Sequence, residues 1–352
     1  MKKIILLSKY GAWEENSFYR FYQYIQDFEL KGIQVISVPL FTQRIEKKFI
    51  NYSKISIVNY IISYFKRIYF LLMNEKNSLI WLDTELFPFI PFELESLLIN
   101  LDTPVILDIY NSFFYKYSHG INFLGKKILK NKIPYWIGRA EEVITSCNSI
   151  YNFCKQYRDE VQLIPLAIDE KKVQAFLPEV KQNHEYVLGW TGTPFTARFL
   201  NQIINPLKEL ARYFPLKVKL IGGLVPLPVK TEYYTWSRSN ELELLVDIDI
   251  GINPLPATLR EIGNPCLKTL KYMSLGKPVV ASSYGGSENF VVHSENGFLV
   301  KSEEDWYIAL RNLLDDEEVL REMGEKSKER VVKFFQKEDA FLKMYLIFEK
   351  YF

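Results

Sequence analysis

Lys268 occupies a position where a cation needs a reason. The run Asn264-Pro265-Cys266-Leu267-Lys268 predicts a helix over 265–275, with Asn264 as N-cap and Pro265 at the first helical position. Gly276 and Pro278 punctuate its end, and Cys266, Leu267, Leu270 and Met273 give it a buried face. A cation in a first turn opposes the helix dipole by about 0.3–1 kcal/mol, whereas the free N–H groups there favour phosphate. Lys268 therefore reads either as half of a phosphate site or as a solvated lysine on an exposed face. Lys271, one turn on, is expected to matter less to a bound anion because it lies farther from the free N–H groups.

Other clusters suggest chemistry more weakly. In the run 190–198, WTGTPFTAR, Gly192 lets a backbone approach a ligand closely. Thr191, Thr193 and Thr196 supply hydroxyls beside a helix start, and Arg198 adds a cation. A plain strand–helix connection is the alternative. Gly285, Gly286, Ser287 and Glu288 form a turn leading into a short helix, where glycines serve conformation and a glutamate suits the dipole. Asp247 and Asp249 make an Asp-x-Asp pair of the kind that holds metal in other proteins. Asp249 opens a strand, so the pair is assigned to structure and no metal is expected. Glu85 and Asp108 follow strands and are positioned either to touch a substrate or to cap helices. Of the histidines, His119 lies nearest those strand ends, while His184 falls in a linker and His293 in a turn.

These residues need a scaffold, and the chain alternates strands and helices throughout. Apolar runs at 3–8, 33–38, 78–82, 104–109 and 142–145 read as strands buried on both faces, with a helix from Ser17 to Gly32 after the first. Residues 165–184 form a linker. A second series then begins at 186, with a helix over 194–214 and strands at 216–221, 248–252 and 278–282. Ser302 and Asp305 mark a further helix start, and a helix over 338–351 closes the chain. A first turn with only Gly11 lacks the Gly-x-Gly-x-x-Gly of a nicotinamide site, which argues against a dinucleotide oxidoreductase.

Composition excludes other classes. At 352 residues the chain suggests two domains. A net charge of +2 is too small for a nucleic-acid binder working by bulk electrostatics. Three cysteines without paired or metal-ligand spacing point to a reducing compartment. The short apolar start, KIILL, reads as a first strand rather than a leader, and nothing of about 20 apolar residues spans a membrane. Two stretches, 44–73 and 123–139, mix lysine and arginine with aromatic residues. They read as helices lying on an anionic membrane surface, or as helices with lysines outward and aromatics packed inward.

The segments PCLKTLKYMSLGKPVVAS, GGSENFVV and NGFLV resemble the donor half of GT-B glycosyltransferases of the family 4-like branch. The similarity extends through LGWTGTPFTARFL and DIGINPL into the N-terminal half. It implies two doubly wound Rossmann-like α/β domains facing across a cleft. The expected division is an acceptor-side domain over 1–170, a donor domain over 171–336, and a helix over 337–352 that returns to the first domain. It implies transfer of a sugar from a nucleotide-diphosphate sugar to a glycan or lipid-linked acceptor in surface polysaccharide or glycoconjugate synthesis. Retention of configuration and no cofactor follow from it. The protein is expected in the cytoplasm, either free or peripheral on the inner face of the plasma membrane. Lys268, Gly192, Thr193, Thr196, Arg198, Asn264, Gly285, Gly286, Ser287 and Glu288 would bind the donor. Tyr10, Gly11 and Arg20 would face the acceptor, with Asp108 and Glu85 as catalytic candidates on the cleft rim, able to touch an acceptor hydroxyl or the sugar; a surface arginine is the alternative for Arg20. The family's two glutamates fall on Gly263 and Lys271, so that pair is missing, with Glu261 and Glu288 as nearby substitutes. The family's Asp-x-Asp-Asp run keeps only Asp108. A GT-B epimerase or hydrolase, or a non-catalytic partner subunit, are the other readings; neither a nucleophile nor a base is identifiable.

Overall fold

A computed structural model describes residues 2–43, 57–74, 78–100, 102–173 and 185–352. The basic run 44–56 and His184 lie outside them. The chain divides into two compact units. One comprises Met1–Pro165, Ile262–Asn264 and Ala340–Phe352, and the other Leu166–Glu261 and Pro265–Asp339.

The first unit holds a parallel sheet in the order β2-β1-β3-β4-β5-β6: β1 Lys3–Leu7, β2 Gln34–Ser37, β3 Leu79–Asp83, β4 Val105–Ile109, β5 Glu142–Thr145 and β6 Gln162–Leu163. β3, β4 and β5 are buried along their whole length, which is why β3 and β4 are nearly unbroken apolar runs. The predicted helix after β1 is instead three pieces, Glu15–Arg20, Tyr22–Tyr24 and Ile25–Leu30, broken at Phe21 (φ −123°, ψ −59°). Phe21 and Phe28 both pack on Trp81, with ring centroids 5.2 and 5.9 Å away. The closing helix, Lys337–Glu349, brings Phe348 to 5.0 Å from the same tryptophan.

The second unit holds β7 Tyr186–Thr191, β8 Leu216–Ile221, β9 Lys230–Tyr234, β10 Ile250–Asn253, β11 Val279–Ser282 and β12 Gly297–Val300, in the order β12-β11-β10-β7-β8-β9. Counted from β7, this is the strand order of a Rossmann fold, and it reverses between β7 and β10. In the first sheet the reversal falls between β1 and β3. Ligands of open parallel sheets bind beyond the strand ends at such reversals. The expected helix over 194–214 is again divided, into Pro194–Ala197, Arg198–Ile203 and Ile204–Leu210.

Candidate functional site

The reversal in the second sheet brings together the turn after β7 and the helix that precedes β11. That helix runs Leu267–Ser274, two residues later than Asn264 and Pro265 would start it. Cys266 is its N-cap in a left-handed conformation (φ 56°, ψ 41°), and no side chain caps it, so Asn264 is not the cap. Such backbone in a non-glycine residue costs of order 1–3 kcal/mol and concentrates at functional sites. The turn is held from outside: a Cβ on Gly286 would overlap the Pro265 carbonyl oxygen. Gly285 is itself left-handed (φ 64°), so both glycines shape the wall against which the helix start rests.

Every residue of this helix is buried except Lys268, which keeps partial access to solvent. Its ammonium lies 4.7 Å from the Trp190 ring centroid and has no ion pair or hydrogen bond among the described residues. Crowding by protein lowers its pKa to about 8, only partly opposed by Cys266, Glu261 and Glu241. Lys271, one turn on, has a different environment. It is fully buried, and its ammonium donates to Glu241 at 2.5 Å. Glu241 also accepts from the Thr191 hydroxyl at 2.7 Å, and burial pushes its carboxyl up. The Tyr272 hydroxyl accepts the Thr191 N–H at 3.0 Å, tying the helix to the end of β7.

The turn after β7 is close-packed. A Cβ on Gly192 would fall 2.7 Å from both the Thr196 hydroxyl and the Trp190 ring. Thr193 and Thr196 cap Pro194–Ala197 reciprocally, so their hydroxyls are engaged within the turn. Arg198 is exposed, with its guanidinium stacked 3.6 Å from the Phe195 centroid. That geometry covers its face and leaves its edge donors directed elsewhere. Gly222 (φ 89°) and Gly223, after β8, press on the Gly192 and Thr193 carbonyls. This glycine pair was legible in the sequence and was not singled out.

The remaining candidate residues are engaged locally. The Ser287 hydroxyl is fully buried, 3.5 Å from both Thr269 and Asn253. Glu288 is exposed and accepts from Ser283 at 3.2 Å, while Glu261 is buried beside Arg260. Asp247 pairs with Lys219, and Asp249 accepts the Val187 N–H at 2.7 Å. His293 accepts from the Leu299 N–H at 3.2 Å, and His119 meets Ser118 at 2.7 Å.

In the first unit Asp108 is 0% exposed and accepts from Arg20 at 2.7 Å and from the Trp81 indole at 3.2 Å. Arg20, also buried, donates in addition to the Ile164 carbonyl at 2.5 Å. This pair holds the sheet to the loop after β6, and with both side chains buried Arg20 is not a surface arginine. Glu85 is likewise inside a network, accepting from Lys132 (2.7 Å), Lys116 (3.3 Å) and Tyr117 (2.5 Å). Burial raises its pKa, but Lys132, Lys116 and Lys9 outweigh burial and hold it down to about 2. A carboxylate so held is a poor proton acceptor. Gly11 is a glycine because the Trp13 ring covers it, and Tyr10, half-buried, lies 5.9 Å from Phe41. Thr84, at the end of β3, has φ 61°, which is strained for a β-branched residue.

The family model described as "Glycosyl transferases group 1" matches residues 173–316, the stretch that contains Gly192, Lys268 and the Gly285–Gly286 turn. Trehalose synthase of Pyrococcus horikoshii is 41% identical over 118 residues, covering 34% of this chain and a quarter (25%) of that protein. Sucrose-phosphate synthase from Thermosynechococcus elongatus superposes with a TM-score of 0.69 at 15% identity, over 99% of both chains. Anabaena HepE, solved with UDP-glucose, gives 0.68 at 13% identity over 99% of this chain and 100% of its own. The fold is GT-B. The two glutamates that the sequence resemblance leads one to expect, and that are absent, find a local account here. Ile262–Asn264 group with the first unit, where a Cβ on Gly263 would overlap Ser112, and Lys271 exchanges the second carboxylate for a cation that Glu241 neutralises.

Proposed function

We propose that this chain is a glycosyltransferase that moves a hexosyl unit from a nucleoside-diphosphate sugar, UDP-glucose or a close relative, to a glycan or lipid-linked acceptor. The observation that carries the reading is Lys268: the one residue of an otherwise buried helix that keeps solvent access, in a first turn, without an acidic partner. In the reaction the bond between the anomeric carbon and the diphosphate oxygen breaks, and the leaving group takes the electron pair. The acceptor oxygen bonds to that carbon and loses its proton. Negative charge grows on the diphosphate, which Lys268 and the first-turn N–H groups are suited to stabilise. Gly192 allows close backbone approach, and exposed Arg198 supplies a further cation. Retention of configuration and independence from metal follow the resemblance to family 4. Asp247 and Asp249, engaged by Lys219 and Val187, favour the metal-independent reading.

A membrane-bound source of acceptor fits two helices of the first unit. Ile57–Asn74 exposes Phe65, Tyr69 and Leu72, and Phe123–Leu129 exposes Phe123, Leu124 and Ile128 beside Lys126 and Lys127. Apolar side chains among lysines suit the cytoplasmic face of an anionic bilayer. No described helix is long and apolar enough to cross a membrane.

Replacement of both family glutamates favours one rival, a non-catalytic GT-B subunit. Thermal-shift measurement against a panel of nucleotides and sugar nucleotides tests the reading. UDP and UDP-glucose are expected to raise the melting temperature, since ligand at 100 times Kd adds about 2.7 kcal/mol. If no nucleotide stabilises the chain, the donor site is misassigned. Binding without turnover in the presence of acceptor would support the subunit reading, and product without any acceptor would support a hydrolase or epimerase.

A further inference from the structure

Three loops of the first unit leave the carboxyl ends of β1, β3 and β4, which are neighbours in the sheet, and the reversal of strand order falls between the first two. The loop after β1 carries Lys9, the loop after β3 carries Phe89, and the segment after β4 carries Phe113 and Lys116. Lys9 is half-buried. Its ammonium lies 5.1 Å from the Phe113 ring centroid and 5.6 Å from that of Tyr10, with no ion pair or hydrogen bond among the described residues. Lys116, also half-buried, lies 4.7 Å from the Phe89 centroid and 4.6 Å from that of Tyr117.

Two observations set this group apart from an ordinary solvated surface. The first is repulsion between the lysines. Burial lowers the Lys116 ammonium to about 8, Glu85 opposes the fall, and the charge of Lys9 adds to it. Glu85 meets Lys116 at 3.3 Å but Lys132 more closely, at 2.7 Å. Asp83 and Glu85, the carboxylates nearest this group, are both buried, so the charge that solvent meets is positive. The second observation is backbone strain in the loop after β3, where Thr84 (φ 61°) and Phe89 (φ 65°) are both left-handed without being glycine. Backbone of that kind is costly and concentrates where ligands bind. Its result is a phenylalanine held 53% exposed beside Lys116, with its N–H donating to the Tyr117 hydroxyl at 3.0 Å.

We propose that Lys9 and Lys116 bind the acidic group of a sugar acceptor, a carboxylate or phosphate carried on a hexose, with Phe89 and Phe113 packing against the sugar ring. An anion between the two ammonium groups relieves their repulsion, and lysines recognise carboxylate and phosphate alike as point charges. Aromatic rings beside a few charged groups are the usual lining of a small-molecule site. The inference rests on the transferase reading above and adds to it the class of acceptor.

The test titrates the full chain by calorimetry with methyl glucuronide, glucose-6-phosphate and methyl glucoside, with UDP present to occupy the donor site. The acidic sugars should bind about tenfold tighter than the neutral one, and the tighter of the two identifies the acid. Lys9→Gln and Lys116→Gln should each remove most of that preference, with methyl glucoside affinity, UDP affinity and melting temperature near parental. Lys132 still serves Glu85 in the second variant. Lys9→Arg, which keeps the charge, should keep the preference. Lys268→Ala should keep it too, which separates this site from the donor helix. Equal affinity for acidic and neutral sugars, no binding of either acid, or a preference that survives both glutamine variants would overturn the site. If UDP binds and the preference is absent, only the acidic-acceptor site falls. If UDP does not bind, the transferase reading falls, and the same titration without UDP still decides the acid site through the Lys9 and Lys116 variants.

Discussion

Replacing Lys271 by alanine should unfold the second unit far more readily than its exposed-looking sequence position suggests. The ammonium lies 2.5 Å from Glu241, with both side chains 2% exposed. At an effective dielectric of 20, two charges that close attract by about 7 kcal/mol before desolvation is subtracted. Desolvation offsets much of this, so the pair itself contributes little net stability. Removing one partner is different, because it leaves Glu241 buried beside Thr191 with no ion pair and only the weaker fields of Lys268 and Arg238, at a cost of about 3–5 kcal/mol. For a unit of about 170 residues that corresponds to a fall in melting temperature of roughly 6–20 °C. Scanning calorimetry and urea titration of the parent, Lys271→Ala, and the pair Lys271→Met with Glu241→Gln make the comparison. The double variant keeps an acceptor for the Thr191 hydroxyl and should recover most of the loss. Lys271→Glu, which restores the family's residue, should be worse than alanine because two carboxylates then share one buried site. A Lys271→Ala protein within about 0.5 kcal/mol of the parent, the range of ordinary surface changes, would refute the buried pair.

Because burial holds Lys268 at about 8, it is charged below that pH and neutral above it. UDP affinity should therefore fall as pH rises through 8, up to tenfold per pH unit, and Lys268→Arg should remove the break; a flat titration of the parent contradicts the role. Transfer activity should survive EDTA, and loss that manganese or magnesium restores would return Asp247 and Asp249 to metal binding. Gly251→Ala would drive a Cβ into the Tyr272 ring, whose hydroxyl accepts the Thr191 N–H, so about 1–3 kcal/mol of stability should be lost in urea.

The strands were the most legible part of the sequence. β1, β3 and β4 are apolar runs because both faces of a parallel sheet are covered, and the runs mark them directly. Helix boundaries were less so. Asn264-Pro265 carries the residues of a helix start, but the left-handed Cys266, locked against Gly286, delays the helix by two residues. β9 was missed because its polar edge-strand sequence, KTEYY, is only partly buried. Charge pairing was the least legible. Glu241 lies 30 residues before Lys271, and Asp108 lies 88 after Arg20, so only the fold reveals that these charges neutralise one another. The same long-range pairing engages Glu85 and Asp108, which the sequence alone leaves looking like free strand-end carboxylates. Lys268 stood out because its oddity is local: a cation, a first turn, and no acid within a helical turn of it.

That residue also carries the central claim, so titration of UDP into the parent and Lys268→Ala, followed by turnover of UDP-glucose, tests it most directly. Loss of the lysine should weaken UDP binding and slow turnover by roughly 10²–10³, with turnover affected more than affinity because leaving-group charge grows as the bond breaks. The fold should be unharmed, since removing a cation from a helix N-terminus is neutral or mildly stabilising. Near-parental affinity and turnover in Lys268→Ala would contradict a diphosphate site at this helix.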